Sequence, residues 1–273
     1  MTQIAFIGGG NMATSIIGGL LQQGDISASA IHVADPGAEQ RARLQAQYGV
    51  LTYESNLDAV AQASVLILAV KPQMMKTVLT PLHATLETRQ PMLISVAAGI
   101  DLATLKTWSG CHAVVRCMPN TPALIGKGAT GLFASDAVSL EQRNLADQLL
   151  AATGITVWVQ SDAEIDAVTA LSGSGPAYYF LMMEAMIAAG VELGLNQEIA
   201  TRLTLQTALG AGEMASSADV DPAELRHRVT SPGGTTEQAI LSFEKAKMHD
   251  IVAAAMQAAA RRASELSEEL GDK

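Results

Sequence analysis

The chain has 273 residues, nearly half of them hydrophobic, and 17 basic against 27 acidic residues give it a net charge of −10. That length supports one large or two ordinary domains around a sizeable core. An acidic chain whose nearest approach to a basic cluster is Arg226 and Arg228 is ill suited to nucleic acid, and no charge-free apolar run nears the roughly 20 residues of a membrane span.

The first half alternates. IAFIG (4–8) is a short apolar run, and residues 11–23 carry helical spacing. IHVAD (31–35) is a second run, followed by the helix-like EQRARLQAQY. SVLILAV (64–70) is wholly apolar, as a strand buried on both faces requires. PMLISVAAG (91–99) and HAVVRCMPN (112–120) are a fourth and a fifth run. GATGLFAS (128–135) and ITVWVQ (155–160) extend the series, with the helix SLEQRNLADQLLAAT between them. Apolar strands alternating with helices predict a doubly wound, mostly parallel sheet covered on both faces.

Beyond about Asp162 no further strand is evident. Residues 163–172, 176–194, 197–217, 222–229, 235–244 and 247–270 read as helices. The expected division is an α/β domain over 1–162 and an all-α domain over 163–273. PAYYFLMMEAMIAAGVELG (176–194) is apolar almost all round, so it is expected at the heart of an oligomer. The low charged fraction, 16 %, also points to surface hidden between subunits. No signal peptide precedes the first apolar run, so a cytoplasmic protein is expected. Cys111 and Cys117, with His112 between them, fit no zinc spacing and read as two small buried thiols, with no metal site.

GGGNMA (8–13) follows the first apolar run and opens a helix, matching G-x-G-x-x-G/A as Gly8, Gly10 and Ala13. In that context it predicts a dinucleotide site built from Gly8, Gly9, Gly10, Asn11 and Met12 rather than a structural turn. Gly8 makes the tight turn, Gly10 lets the backbone approach a pyrophosphate, and Ala13 keeps the helix close to the strand. The helix N-terminus offers its N–H groups to the phosphates. Asp35 closes the second run, where a carboxylate accepts from the ribose hydroxyls and repels a 2′-phosphate, favouring NADH. Arg41 and Arg43, if they turn back, favour NADPH; Arg43 reads better as a solvated helix face. The cofactor is therefore NADPH or NADH. Ligands of such sheets bind at the carboxyl ends of the strands, which selects Ala69, Val70, Lys71 and Pro72, then Ala97, Ala98 and Gly99, and then residues 118–122. The small residues at 97–99 admit a flat nicotinamide ring, while Pro72 and Pro122 read equally well as strand terminators.

In the second half, LSGSGPAYYF (171–180) reads as a helix–helix corner, with Pro176 suited to a first helical turn. TSPGGTTEQA (230–239) stops the helices a second time. Thr235 and Gln238 match a capping box, so a helix begins there. The N–H groups of Gly233, Gly234, Thr235 and Thr236 can converge on one point, and Ser231 adds a hydroxyl. Such a nest seats an anion; the alternative is a plain loop. No lysine occurs between Lys127 and Lys245, so a carboxylate held here is held mainly by backbone and hydroxyl groups.

On FIGGGNMA, LAVKPQ, SVAAG, VVRCMPNTPA, LSGSGPAY and above all ELRHRVTSPGGTTEQAI, the chain resembles the pyrroline-5-carboxylate reductases, from Ile4 to the C-terminal helix. The resemblance implies a Rossmann domain followed by an all-helical dimerisation domain, assembled as dimers or multiples of dimers. It implies reduction of Δ1-pyrroline-5-carboxylate to L-proline with NADPH or NADH, the last step of proline synthesis. It seats the substrate carboxylate on Ser231, Gly233, Gly234, Thr235 and Thr236, with the Thr236 hydroxyl beside the ring nitrogen as the catalytic group. It places Asn56 and the 69–72 and 96–99 segments at the cofactor and Asp162 near the substrate, while Arg228 matches a position that is not basic in every member. Lys247-Met248 stands where many relatives have Gly-Phe. Two other readings are weighed. A hydroxyacid dehydrogenase of the same two-domain type would, as a family, use a lysine of the helical domain, and residues 128–244 hold none. A non-enzymatic dinucleotide sensor has no need of the 230–236 nest.

Overall fold

The computed structural model describes residues 2–271, so the outer ends of the two expected domains, residue 1 and residues 272–273, lie outside the described residues. In chain order the first elements are β1 (Ile4–Ile7), α1 (Asn11–Gln23), β2 (Ile31–Ala34), α2 (Ala38–Tyr48), β3 (Leu51–Tyr53), α3 (Asn56–Val60) and β4 (Val65–Leu68). Then come α4 (Met75–Leu79), α5 (His83–Arg89), β5 (Met92–Ser95), α6 (Leu102–Ser109), β6 (Val114–Met118), β7 (Gly128–Ala134), α7 (Leu140–Ala151) and β8 (Gly154–Trp158). The strands form one sheet in the order β3-β2-β1-β4-β5-β6-β7-β8, parallel throughout except for the antiparallel β6–β7 pair. Both faces are covered, and the period-two alternation of a strand divides each apolar run between two cores. Ile4 and Phe6 of β1 join one core with Ile16, Ile17 and Leu149, while Ala5 and Ile7 join the other with Leu79, Leu86 and Leu105. The strand order reverses between β1 and β4, which opens a crevice at their carboxyl ends.

β3 is the one strand the sequence reading lacks. It has three residues, and Leu51 is exposed at the sheet edge, so neither length nor alternation marks it. No strand follows Trp158 among the described residues. α8 (Asp162–Val168) lies on β7, where the absent Cβ of Gly131 would fall 2.7 Å from Val168 Cγ1. A π-helical turn, Thr169–Gly173, follows, and Ser174 N donates to Thr169 O at 2.8 Å. The expected corner therefore shrinks to Ser174.

Chain contacts divide the molecule into two compact units. One ends at Ser174 and takes in the chain again from Ala258; the other is Gly175–Gln257. The second holds α9 (Gly175–Glu192), α10 (Gln197–Ser217), α11 (Pro222–Arg228), α12 (Thr235–Lys245) and the first turns of α13 (Met248–Gly271). α9 and α10 pack together, with Gly190 close to Ala200. Much of the apolar surface of α9 is exposed in the single chain: Tyr179, Phe180 and Leu181 are 71 %, 62 % and 66 % exposed. No helix among the described residues is long and apolar enough to cross a membrane.

Candidate active site

The glycine turn after β1 is built as its sequence requires. Gly8 has φ +93°, and a Cβ there would sit 2.6 Å from Ala69 O. Gly8 N donates to Ala34 O at 2.8 Å, which ties the turn to β2. Gly10 is the N-cap of α1 without a side-chain cap, and nothing lies within 4 Å of its missing Cβ. The N–H groups of the exposed Asn11, the half-buried Met12 and the buried Ala13 therefore begin a helix with no acceptor inside it. An open cradle with unpaired donors at a helix N-terminus fits a dinucleotide diphosphate.

Asp35 stands at the end of β2 with both oxygens engaged. Oδ2 accepts from Gly9 N at 2.9 Å and Oδ1 from Gly37 N at 2.8 Å. Gln40, which sequence reasoning passed over, donates from Nε2 to Gly9 O and holds the other side of the turn. Arg41 does turn back: Nη1 donates to the carbonyls of Asp35 at 2.7 Å and Pro36 at 2.9 Å. A guanidinium thus sits at the carboxyl end of β2, with Nη2 at 3.5 Å from Glu54. Asn56 opens α3 just after the Ser55 cap and is half-buried.

Ala69, Val70, Lys71 and Pro72 leave β4 on the crevice side of the sheet, Lys71 exposed and the others half-buried. The segment after β5 is less open than its small residues predict. Ala97 is 4 % exposed in the second core, and Gly99, also buried, has Leu266 Cβ 3.1 Å from where its own Cβ would be. The smallness of Gly99 is used by α13, and Val96 and Ala98 remain the accessible side chains.

Asp162 opens α8 and is bonded to the protein itself. Its Oδ1 accepts from Arg116 Nη1 at 2.6 Å and from Leu102 N at 3.3 Å. Asp166, one turn on, accepts from Arg116 Nη2 at 3.1 Å. Arg116 is buried in β6, and its Nε has no partner. Burial pushes the Asp166 carboxyl above its usual value, and the Arg116 charge opposes that shift. Sequence reasoning missed this triad, although a lone arginine inside an apolar strand, and two aspartates at i and i+4 of one helix, were its signals. Cys117 is buried in the same strand with Sγ 3.1 Å from Ser95 O, and burial pushes its thiol well up. Among the described residues no group of three His, Cys, Asp or Glu is placed to hold a metal ion.

The loop before α12 departs from expectation in one respect. Its N-cap is Gly234, with no side-chain cap, so the capping box of Thr235 and Gln238 does not form. Glu237, at the third helical position, instead reaches back to accept from Gly233 N at 2.8 Å. Gly234 N donates to Ser231 O at 3.0 Å, closing a turn in which Gly233 has φ +72°. Two of the four nest donors are thereby satisfied. The N–H groups of Thr235 and Thr236 remain as first-turn donors, beside the hydroxyls of Ser231 and Thr236. Ser231 and Thr235 are exposed, and Thr236 is half-buried.

Residues 162–266 match the family model described as pyrroline-5-carboxylate reductase dimerisation, and residues 3–99 match one described as NADP oxidoreductase, coenzyme F420-dependent. The pyrroline-5-carboxylate reductase of Pseudomonas aeruginosa is 55 % identical over 270 residues, 98 % of each chain. That of Haemophilus influenzae is 45 % identical, covering 96 % of this chain and 97 % of its own. Among solved structures, a pyrroline-5-carboxylate reductase from Coxiella burnetii superposes with a TM-score of 0.93 at 42 % identity, over 97 % of this chain and 98 % of the other. The Plasmodium falciparum pyrroline carboxylate reductase with NADP bound gives 0.84 at 27 % identity, over the same shares.

Proposed function

Since the chain belongs to the pyrroline-5-carboxylate reductase family of proline biosynthesis, we propose how its own residues carry the reduction of Δ1-pyrroline-5-carboxylate to L-proline. Gly8, Gly9, Gly10, Asn11 and Met12 hold the dinucleotide diphosphate. Asn56, the 69–72 segment and the backbone of Ala97, Ala98 and Gly99 line the rest of the crevice. NAD(P)H, when bound, supplies the hydride. NADPH is favoured over NADH, because Asp35 is engaged by the glycine turn while Arg41 sets a cation where the adenosine ribose ends.

The observation that carries the substrate reading is the loop geometry. With Gly233 and Gly234 held in their turn by Glu237 and Ser231, the Thr235 and Thr236 N–H groups and two hydroxyls are left for a carboxylate. The Thr236 hydroxyl hydrogen-bonds the ring nitrogen as the imine becomes an amine. A threonine is a poor acid near neutral pH, so it orients the substrate and passes a proton through water. Asp162 is held beside Arg116, its Oδ1 taken by that guanidinium and by the Leu102 N–H. Thr236→Ala is expected to lower kcat/KM about tenfold or more, from a lost bond of ~1.5 kcal/mol. Unchanged steady-state kinetics would remove Thr236 from the reaction.

The functional division runs near residue 162, with the dinucleotide part before it and the dimerisation part after it. The bare apolar residues of α9 support self-association as a dimer or a multiple of dimers. The two unpaired thiols, both buried, accord with a reducing cytoplasm.

A further inference from the structure

β8 is the last strand of the sheet, and it lacks the devices that usually protect an edge. Natural edge strands carry charges, prolines or bulges that prevent another chain from adding to them. Gly154–Trp158 reads GITVW, with no charge and no proline, and pairs with β7 in unbroken register. Its two faces differ. On one, Thr156 donates to Asp147 Oδ1 of α7 at 2.6 Å, and Arg143 stacks over Trp158 at 4.5 Å. On the other, Ile155 and Val157 are 65 % and 54 % exposed.

The register says what lies beside that bare face. Ile155 pairs with Ala129 and Val157 with Gly131, so all four point to the same side. Gly131 is the residue on which Val168 of α8 rests. α8 therefore covers β7 and stops short of β8. Leu171, one turn beyond Val168, is itself 63 % exposed. The stretch matched as a dimerisation family begins at residue 162, so α8 and Leu171 already belong to it.

We infer that the dimer interface does not end with the helical part: a second copy of this chain covers Ile155 and Val157 of the edge strand together with Leu171. The strip is continuous with the dimerisation segment on the same sheet face, and it is apolar and uncharged. Covering it also removes the aggregation hazard that a bare, unguarded edge would present. The inference rests on the self-association proposed above.

The test is sedimentation equilibrium of the full chain over a dilution series, for wild type, the double variant Ile155→Lys/Val157→Lys, and the control Leu140→Lys. Leu140 is 75 % exposed and opens α7, which covers the other face of β8. The double variant should raise the dimer dissociation constant about tenfold or more, and the control should leave it unchanged. Near-ultraviolet circular dichroism checks that each variant is folded. Should the lysine pair prevent folding, Ile155→Thr/Val157→Thr should move the constant the same way by a smaller factor. A folded double variant that dimerises like wild type, from a wild type that does dimerise, would overturn the surface alone. A wild type monomeric at every concentration would overturn the self-association reading, and the surface with it.

Discussion

Arg116 lies in the middle of β6 with its guanidinium between Asp162 and Asp166, and the neighbours on its strand are apolar. A cation in that place requires partners, because removing it would leave two carboxylates facing the same desolvated space. Arg116→Met is expected to lower stability by about 2–3 kcal/mol in urea unfolding; Asp162 keeps some contact with water, which holds the loss below that of a sealed pair. Asp166 adds a pH dependence of known sign. Its folded-state affinity for the proton is raised, chiefly by burial, so the native state binds the proton more readily than the unfolded chain. Its contribution to stability is then present at low pH and is lost as pH rises from the usual carboxylate range through the raised one. Asp166→Asn should flatten the stability-versus-pH curve in that window. An unaltered curve would mean that another group sets the slope.

At the scale of elements, the join of α12 to α13 carries a position the sequence marks and the backbone explains. Lys247 has φ +55°, and its N–H donates to Glu244 O at 2.9 Å as α12 ends. Side chains are strained there and glycine is not. Lys247→Gly is expected to stabilise the protein by about 1 kcal/mol, read as a higher urea midpoint at unchanged slope. A fall in the midpoint would show that the lysine side chain contributes contacts worth more than the strain. Long, periodic or wholly apolar stretches such as α1, β4 and α10 were legible in the sequence, because one period or one composition dictates each. β3 was not, being too short to show a pattern. The start of α12 at Thr235 was legible, but its cap was not: two equally good capping chemistries overlap there, and Glu237 takes the role that Thr235 and Gln238 were expected to share. The Arg116 triad was hidden for a different reason. Its members are 46 and 50 residues apart in sequence, and only the packing of α8 against β6 and β7 brings them together.

For the whole molecule, the sheet and its glycine turn present a crevice at the carboxyl ends of β1 and β4, and the helical unit presents the glycine loop before α12 and a largely exposed apolar helix. The composition anticipated this: few charges in a chain that leaves large hydrophobic residues uncovered when alone. We propose that this reductase draws its hydride from NADPH, held in a crevice whose adenosine end is governed by Arg41. The measurement that tests it most directly is kcat/KM for NADPH and for NADH at saturating Δ1-pyrroline-5-carboxylate, in wild type and in Arg41→Met, followed by the loss of reduced-nicotinamide absorbance. Turnover should favour NADPH, and that preference should fall about tenfold in the variant, the worth of one charge-assisted contact to a phosphate. No turnover with either nucleotide, or a preference that Arg41→Met leaves unmoved, would contradict it.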